Sequence, residues 1–273
     1  MDYNIKFVRE CLDEISKLPE INPMHMEDYL RTCDLNQKQL LAVYHTACLL
    51  ERLHHNNVSC KVFDSGIALS NFRDKSTRTR SAFLSAASLL GLTVQDFDES
   101  KSQASHGETT RETATMLSFL TEAIGIRDDL FIHHGHKYQA TVADSVQESF
   151  EAGVLPQRPA VINLQCDEDH PTQSMADVMH LVRHFGGSLS DLRGKNVTVS
   201  WAYSPSYGKP LSVPQGLITL LPRFGVNVTL AYPEGYDLLP DTVEKARNFA
   251  KQNDCSFRVL HDMSDAFTGA DVV

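Results

Sequence analysis

Short apolar runs alternating with stretches of helical periodicity constrain this chain more than any other feature of its sequence. Residues 66–69 (Gly-Ile-Ala-Leu) read as a buried strand. Residues 77–90 read as a helix with Ala82, Phe83, Ala86 and Leu90 on one face, stopped by Gly91. A strand over 92–97, a helix over 109–121 and strands over 123–126 and 160–164 follow, then a helix over 173–185. Beyond Gly186-Gly187-Ser188 a second series begins: strands 197–201, 227–231 and 257–260, separated by helices 213–224 and 242–251. An N-terminal amphipathic helix and a helix over 37–53, capped by Asp34 or Asn36, precede the alternation. Such a pattern predicts an α/β chain of two domains, 1–186 and 187–273, each a parallel sheet flanked by helices. The helix before the glycine pair serves as connector. Gly269-Ala270-Asp271-Val272-Val273 reads as the start of a buried strand, so the chain is expected to be C-terminally truncated, with its second domain incomplete.

Composition then excludes several classes of function. A formal net charge of -10 argues against general nucleic-acid binding, which needs a basic surface to displace counterions. No apolar run approaches the roughly 18 residues of a membrane span, and the polar N-terminus does not resemble a secretory signal. Cys11, Cys33, Cys48, Cys60, Cys166 and Cys255 form no C-x-x-C pair and read as reduced thiols of a cytoplasmic protein. In so acidic a chain, clustered arginines carry more information than usual.

One such cluster is Ser76-Thr77-Arg78-Thr79-Arg80, at a predicted strand-to-helix junction. Free N–H groups and the positive end of the helix dipole converge there, which makes an anion site. Three hydroxyls and a planar guanidinium fork suit phosphate oxygens. The plainer alternative is Ser76 as an N-cap with its arginines on a solvated face. Arg127 ends the strand 123–126, where open parallel sheets bind ligands, or it pairs with Asp128 or Asp129. Pro171 suits a helix start and projects His170 and Gln173 from a strand end. His133-His134-Gly135-His136 lacks an acidic or cysteine partner at ligand spacing, so no metal is expected. No G-x-G-x-x-G follows the strand at 197–201, which disfavours a nucleotide-binding oxidoreductase.

From about Asp34 to Val273 the sequence resembles the aspartate and ornithine carbamoyltransferases. The resemblance rests on S-T-R-T-R at 76–80, on Arg127, and on His170-Pro171-Thr172-Gln173-Ser174-Met175-Ala176-Asp177, similar to the family's H-P-x-Q-x-x-A-D. It implies the carbamoyltransferase fold and a homotrimer with sites between subunits. Ser76, Thr77, Arg78 and Thr79 would hold the phosphate of carbamoyl phosphate, while Thr79, Arg127 and His170 would donate to its carbonyl oxygen and Gln173 would accept from its NH2. Residues 101–109 resemble the loop that reaches a neighbouring subunit's site. His106 stands where aspartate enzymes carry lysine, leaving Gln103 or His106 as the reaching group. The proline-rich stretch 201–214, with Lys209-Pro210-Leu211, resembles the knotted branch that includes acetylornithine-, succinylornithine- and YgeW-type enzymes. Trp201 and Lys209 are the candidates there for the second substrate, although Lys209 equally reads as loop decoration.

The chemistry implied needs no cofactor and no metal, because carbamoyl phosphate is already activated. Positioning and oxyanion stabilisation suffice, and the departing phosphate can take the amine's proton. The second partner is expected to be an amino-acid-like amine or, in the reverse direction, a ureido acid. The runner-up reading is a non-catalytic relative that binds a phosphate metabolite, since the downstream H-C-L-P loop of full-length members is absent from these residues.

Overall fold

The computed structural model describes residues 4–202 and 211–273, and the chain divides into two compact units. The first comprises Met1–Tyr29, Leu35–Arg127 and Lys137–Ile162; the second comprises Leu30–Asp34, Asp128–His136 and Asn163–Val273.

In chain order the first series of elements is α1 (Ile5–Lys17), α2 (Gln37–His55), β1 (Ile67–Phe72), α3 (Arg78–Leu90), β2 (Thr93–Phe97), α4 (Thr110–Ser118), β3 (Ala123–Asp128), α5 (Gly135–Glu151) and β4 (Ala160–Cys166). The strands form a sheet in the order β2-β1-β3-β4, with β1 parallel to both β2 and β3. Ala68 lies between Val94 and Ala123, and Phe72 stands opposite Arg127, so β1 and β3 end level with each other. Central β1 is buried along its middle, as a strand covered on both faces must be, whereas edge strand β2 is largely exposed and carries Asp96.

Local signals explain most boundaries. Asn36 rather than Asp34 caps α2, in a capping box closed by Gln39. Asp28 and Arg158, whose side chains are 12% and 5% exposed, pair at 2.7 Å, and Asp28 also accepts from the N–H of Val161. That extra hydrogen bond offsets part of the desolvation of the pair and holds the segment before residue 30 along β4. Gly91 ends α3 as expected, with a left-handed φ of +100°. A Cβ there would stand 2.1 Å from the carbonyl oxygen of Phe63. Gly91→Ala is therefore expected to destabilise the fold by about 3 kcal/mol or more in urea unfolding. A loss under about 1 kcal/mol would mean that this turn adapts.

The second unit contains α6 (Pro171–Phe185), β5 (Asn196–Ser200), α7 (Ser212–Leu220), β6 (Asn227–Ala231), α8 (Pro240–Gln252), β7 (Phe257–Leu260) and the short α9 (Met263–Phe267). Its parallel sheet has the order β5-β6-β7. Val197, Val199, Val228 and Leu230 of the sheet are buried, as are Ile218 and Leu220 of α7, a helix buried on nearly every side. Prolines open α6 and α8, where the missing N–H needs no partner. Val272 forms a parallel bridge to Val197, which places the last residues beside β5. No helix among the described residues is long and apolar enough to cross a membrane.

Candidate active site

On the first unit's sheet, the chain leaves β1 at Phe72, and the Arg73 N–H bonds at 2.9 Å to the carbonyl of Arg127 at the end of β3. Five residues after Arg73, α3 opens. Thr77, not Ser76, occupies its N-cap position; it adopts a helical conformation, no side chain caps the helix, and no acidic residue stands in the first turn. The capping alternative for Ser76 therefore fails. The positive end of α3 keeps its field and its N–H groups for an external anion.

The two arginines of the motif have separate surroundings. Arg80 pairs with Asp96 at 2.8 Å and lies 4.5 Å above the Phe72 ring, which ties α3 to the sheet. Arg78 is exposed and makes no ion pair with any described residue. Arg127 reaches the motif from β3, its Nη1 donating to Thr79 Oγ1 at 3.3 Å. Strand ends of β1 and β3 thus bring Thr79, Arg127 and the helix start together.

Beside this cradle lies a cluster with no local sequence signal. Glu99 accepts from the Tyr138 hydroxyl at 2.6 Å, from Asn71 Nδ2 at 3.2 Å and from Arg73 Nε at 3.2 Å. The Arg73 guanidinium also lies 4.2 Å from the centre of the Tyr138 ring. Burial and the Glu99 carboxylate push the Tyr138 phenol well above its ordinary range. Glu99 opens the segment that carries Gln103 and His106, both exposed. The segment closes at Thr109, which caps α4 in a capping box with Glu112.

His170 is the residue immediately before α6 in the second unit. It is buried, with Nδ1 3.3 Å from Thr172 Oγ1, while Gln173 Nε2 donates to Asp177 Oδ1 at 2.8 Å. Burial raises the Asp177 carboxyl and the Gln173 hydrogen bond pulls it back. Three residues that motif reading passed over shape this turn. Cys166 accepts through sulfur from the N–H groups of Glu168 and Asp169, at 3.3 and 3.4 Å. Asp167 accepts from the N–H groups of His133 and His136 at 2.6 and 2.8 Å, so His133-His134-Gly135-His136 is a backbone-anchored turn. Asp169 is buried and accepts from Thr32 through both N–H and hydroxyl. Trp201, just after β5, is buried and meets Tyr236 edge-on at 5.8 Å. Lys209 lies outside the described residues.

Residues 27–183 match the family model described as the aspartate/ornithine carbamoyltransferase carbamoyl-P binding domain. The carbamoyltransferase-family protein YgeW of Escherichia coli strain K12 is 53% identical over 269 residues, covering 98% of this chain and 67% of the relative. The N-acetylornithine carbamoyltransferase of Xylella fastidiosa strain Temecula1 is 31% identical, over 92% of this chain and 74% of the relative. Among solved structures, the ornithine carbamoyltransferase from Pyrococcus furiosus superposes with a TM-score of 0.75 at 25% identity, over 90% of this chain and 70% of that one. An acetylornithine transcarbamylase complexed with acetylcitrulline superposes with a TM-score of 0.70 at 29% identity, over 90% of this chain and 74% of that one.

Proposed function

Because this chain belongs to the aspartate/ornithine carbamoyltransferase family and is a transferase of that kind, we propose that it moves a carbamoyl group between carbamoyl phosphate and the amine of an amino-acid-like molecule. The observation that carries this reading is the uncapped start of α3, with Arg78 unpaired among the described residues and Arg127 bonded to Thr79. A dianion is the ligand such a place stabilises.

Ser76, Thr77, Arg78 and Thr79 hold the phosphate. Thr79 and Arg127, with His170, donate to the carbonyl oxygen, where negative charge grows as the amine attacks. Gln173 accepts from the carbamoyl NH2. The amine nitrogen forms a bond to the carbonyl carbon, the carbon–oxygen bond to phosphate breaks, and the amine's proton leaves with phosphate. No strong base is required. The same groups serve the reverse reaction, in which phosphate cleaves a ureido acid to an amine and carbamoyl phosphate.

Residues 1–186 form the carbamoyl-phosphate domain with its connector helix in this reading, and 187–273 the second-substrate domain of a knotted chain. The working enzyme is a cytoplasmic homotrimer acting in nitrogen metabolism. Gln103 or His106 reaches a neighbouring subunit, and Trp201 and Lys209 serve the second substrate. Sedimentation velocity checks the trimer, which a monomer at micromolar concentration would contradict. Amines and ureido acids, screened for phosphate release and for arsenolysis respectively, identify the partner. At least one acceptor-dependent release is expected; release that no amine and no ureido acid stimulates would overturn the proposal.

A further inference from the structure

We propose that Glu99 and Tyr138 are positioning residues: together they form a joint that fixes the segment 99–109 to the end of β1 beside the phosphate cradle. The proposal deepens the carbamoyl-transfer reading and rests on it for its catalytic consequence, though not for its structural one.

Three separate pieces of chain meet at one carboxylate. Asn71 belongs to β1, Arg73 to the turn that leads to Ser76, and Tyr138 to α5; each donates to Glu99. Asn71 Nδ2 also donates to the Tyr138 hydroxyl at 3.0 Å, so the joint closes on itself as a triangle of polar groups. Asn71 is buried, and the Tyr138 and Glu99 side chains are withdrawn from most of the solvent. Partly desolvated hydrogen bonds to a charged acceptor are stronger and more directional than their surface counterparts.

The joint touches the cradle through the backbone as well. Arg73 binds Glu99 with its side chain while its N–H holds the carbonyl of Arg127, the residue that donates to Thr79. Displacing Glu99 therefore removes one of the contacts that hold the Arg73 side chain, at the residue that begins the turn toward α3. On the other side, Glu99 is the first residue of a short 3-10 turn, Glu99–Lys101, and its carbonyl accepts from the Ser102 N–H at 3.1 Å and from the Ser102 hydroxyl at 2.9 Å. Past Ser102, Gln103 accepts at its carbonyl from the Glu108 N–H at 3.2 Å, and the Glu108 carboxylate accepts from Thr113 at 2.9 Å. The segment is thus fastened at its start by Glu99's joint partners and at its end by α4, with Gln103 and His106 between the two fastenings.

Neither Glu99 nor Tyr138 is assigned contact with substrate. Their effect is expected on the geometry of what they hold. Misplacement of about 1 Å in a positioned group can cost as much as a hundredfold in rate, so a tenfold fall in kcat is of the order expected for a loosened joint.

The test uses the full chain with Glu99→Ala, Tyr138→Phe and the conservative Glu99→Gln, which keeps the acceptor for Tyr138 and Asn71 but removes the charge facing Arg73. Three readouts are taken: hydrogen exchange of the amides 99–109, the affinity for inorganic phosphate, and kcat and KM with carbamoyl phosphate. Glu99→Ala and Tyr138→Phe are expected to speed exchange across 99–109 and to lower kcat about tenfold, with phosphate affinity changed less than about threefold. Glu99→Gln is expected to recover part of both losses. Unchanged exchange at 99–109 in Glu99→Ala would overturn the joint. A loss of phosphate affinity as large as the loss of kcat would overturn the positioning role and make Glu99 part of the cradle's own fold. Should the unaltered protein transfer no carbamoyl group to any acceptor, the functional reading fails, while exchange and phosphate titration still decide the joint.

Discussion

Replacing Arg78 with alanine is expected to lower carbamoyl-phosphate turnover about a thousandfold and to move the melting temperature by no more than roughly 2 °C. Both halves follow from its surroundings. Arg78 is exposed at the first turn of α3 and has no ion pair with a described residue, so the folded state loses little with it. In the proposed binding mode, by contrast, the phosphate would lose a planar guanidinium donor and keep only hydroxyls and backbone N–H groups. Arg78→Lys keeps the charge but not the planar fork and is expected to fall between the two. Arg80→Ala serves as the contrasting variant. Its guanidinium already binds Asp96 and covers Phe72, so its removal is expected to affect activity far less. Equal losses in the two alanine variants would show that the motif acts through general positive charge and not through one directed group.

A second large effect is expected at Asp169, in the turn before His170. Its side chain is buried, and Oδ2 accepts from the Thr32 N–H at 2.7 Å and hydroxyl at 2.8 Å. Gly216 makes room for it: a Cβ there would stand 2.2 Å from Oδ1 and 2.3 Å from Ser174 Oγ. Burial pushes the carboxyl from its ordinary 3.8 up to about 6, although the bonds from Thr32 and His170 oppose the shift. Between those values the folded state keeps a proton that the unfolded chain has released. Its contribution to stability is therefore complete below pH 3.8 and is lost as pH rises through about 6. The difference of about two pH units corresponds to roughly 3 kcal/mol. Asp169→Asn keeps an oxygen for Thr32 and cannot ionise. Its stability relative to the unaltered protein is expected to rise by up to roughly 3 kcal/mol between pH 4 and pH 7 in denaturant titrations. A difference that stays constant over that range would mean that Asp169 does not titrate there.

Much of the fold was legible because its signals are local. Asn36 and Gln39 close a capping box within four residues, Pro171 opens α6, Gly91 closes α3, and the apolar runs of β1 and β6 have few alternatives to burial. Helix α5 shows the opposite case. It opens on Gly135, a residue expected in turns, and the two N–H groups at its approach are held by Asp167, 31 and 34 residues away in sequence. No window of neighbouring residues contains that information. The same holds within the site. Ser76 to Arg80 announce themselves by proximity in sequence, whereas Glu99 and Tyr138 are 39 residues apart and individually ordinary. Sequence alone left Ser76 as an N-cap only as the plainer alternative to an anion site; Thr77 takes that position without capping through its hydroxyl, a backbone outcome that no residue type in the motif announces.

The most direct test of carbamoyl transfer at this cradle uses carbamoyl phosphate labelled in its carbonyl carbon. The unaltered protein and Arg78→Ala are each incubated with the label and a panel of amino-acid-like amines, and both the label and the released phosphate are followed. With the unaltered protein, the label is expected to appear on one class of acceptor, one phosphate being released for each carbamoyl group moved, and Arg78→Ala is expected to move almost none. Label that never reaches an acceptor, or that reaches it equally fast without Arg78, would contradict the account.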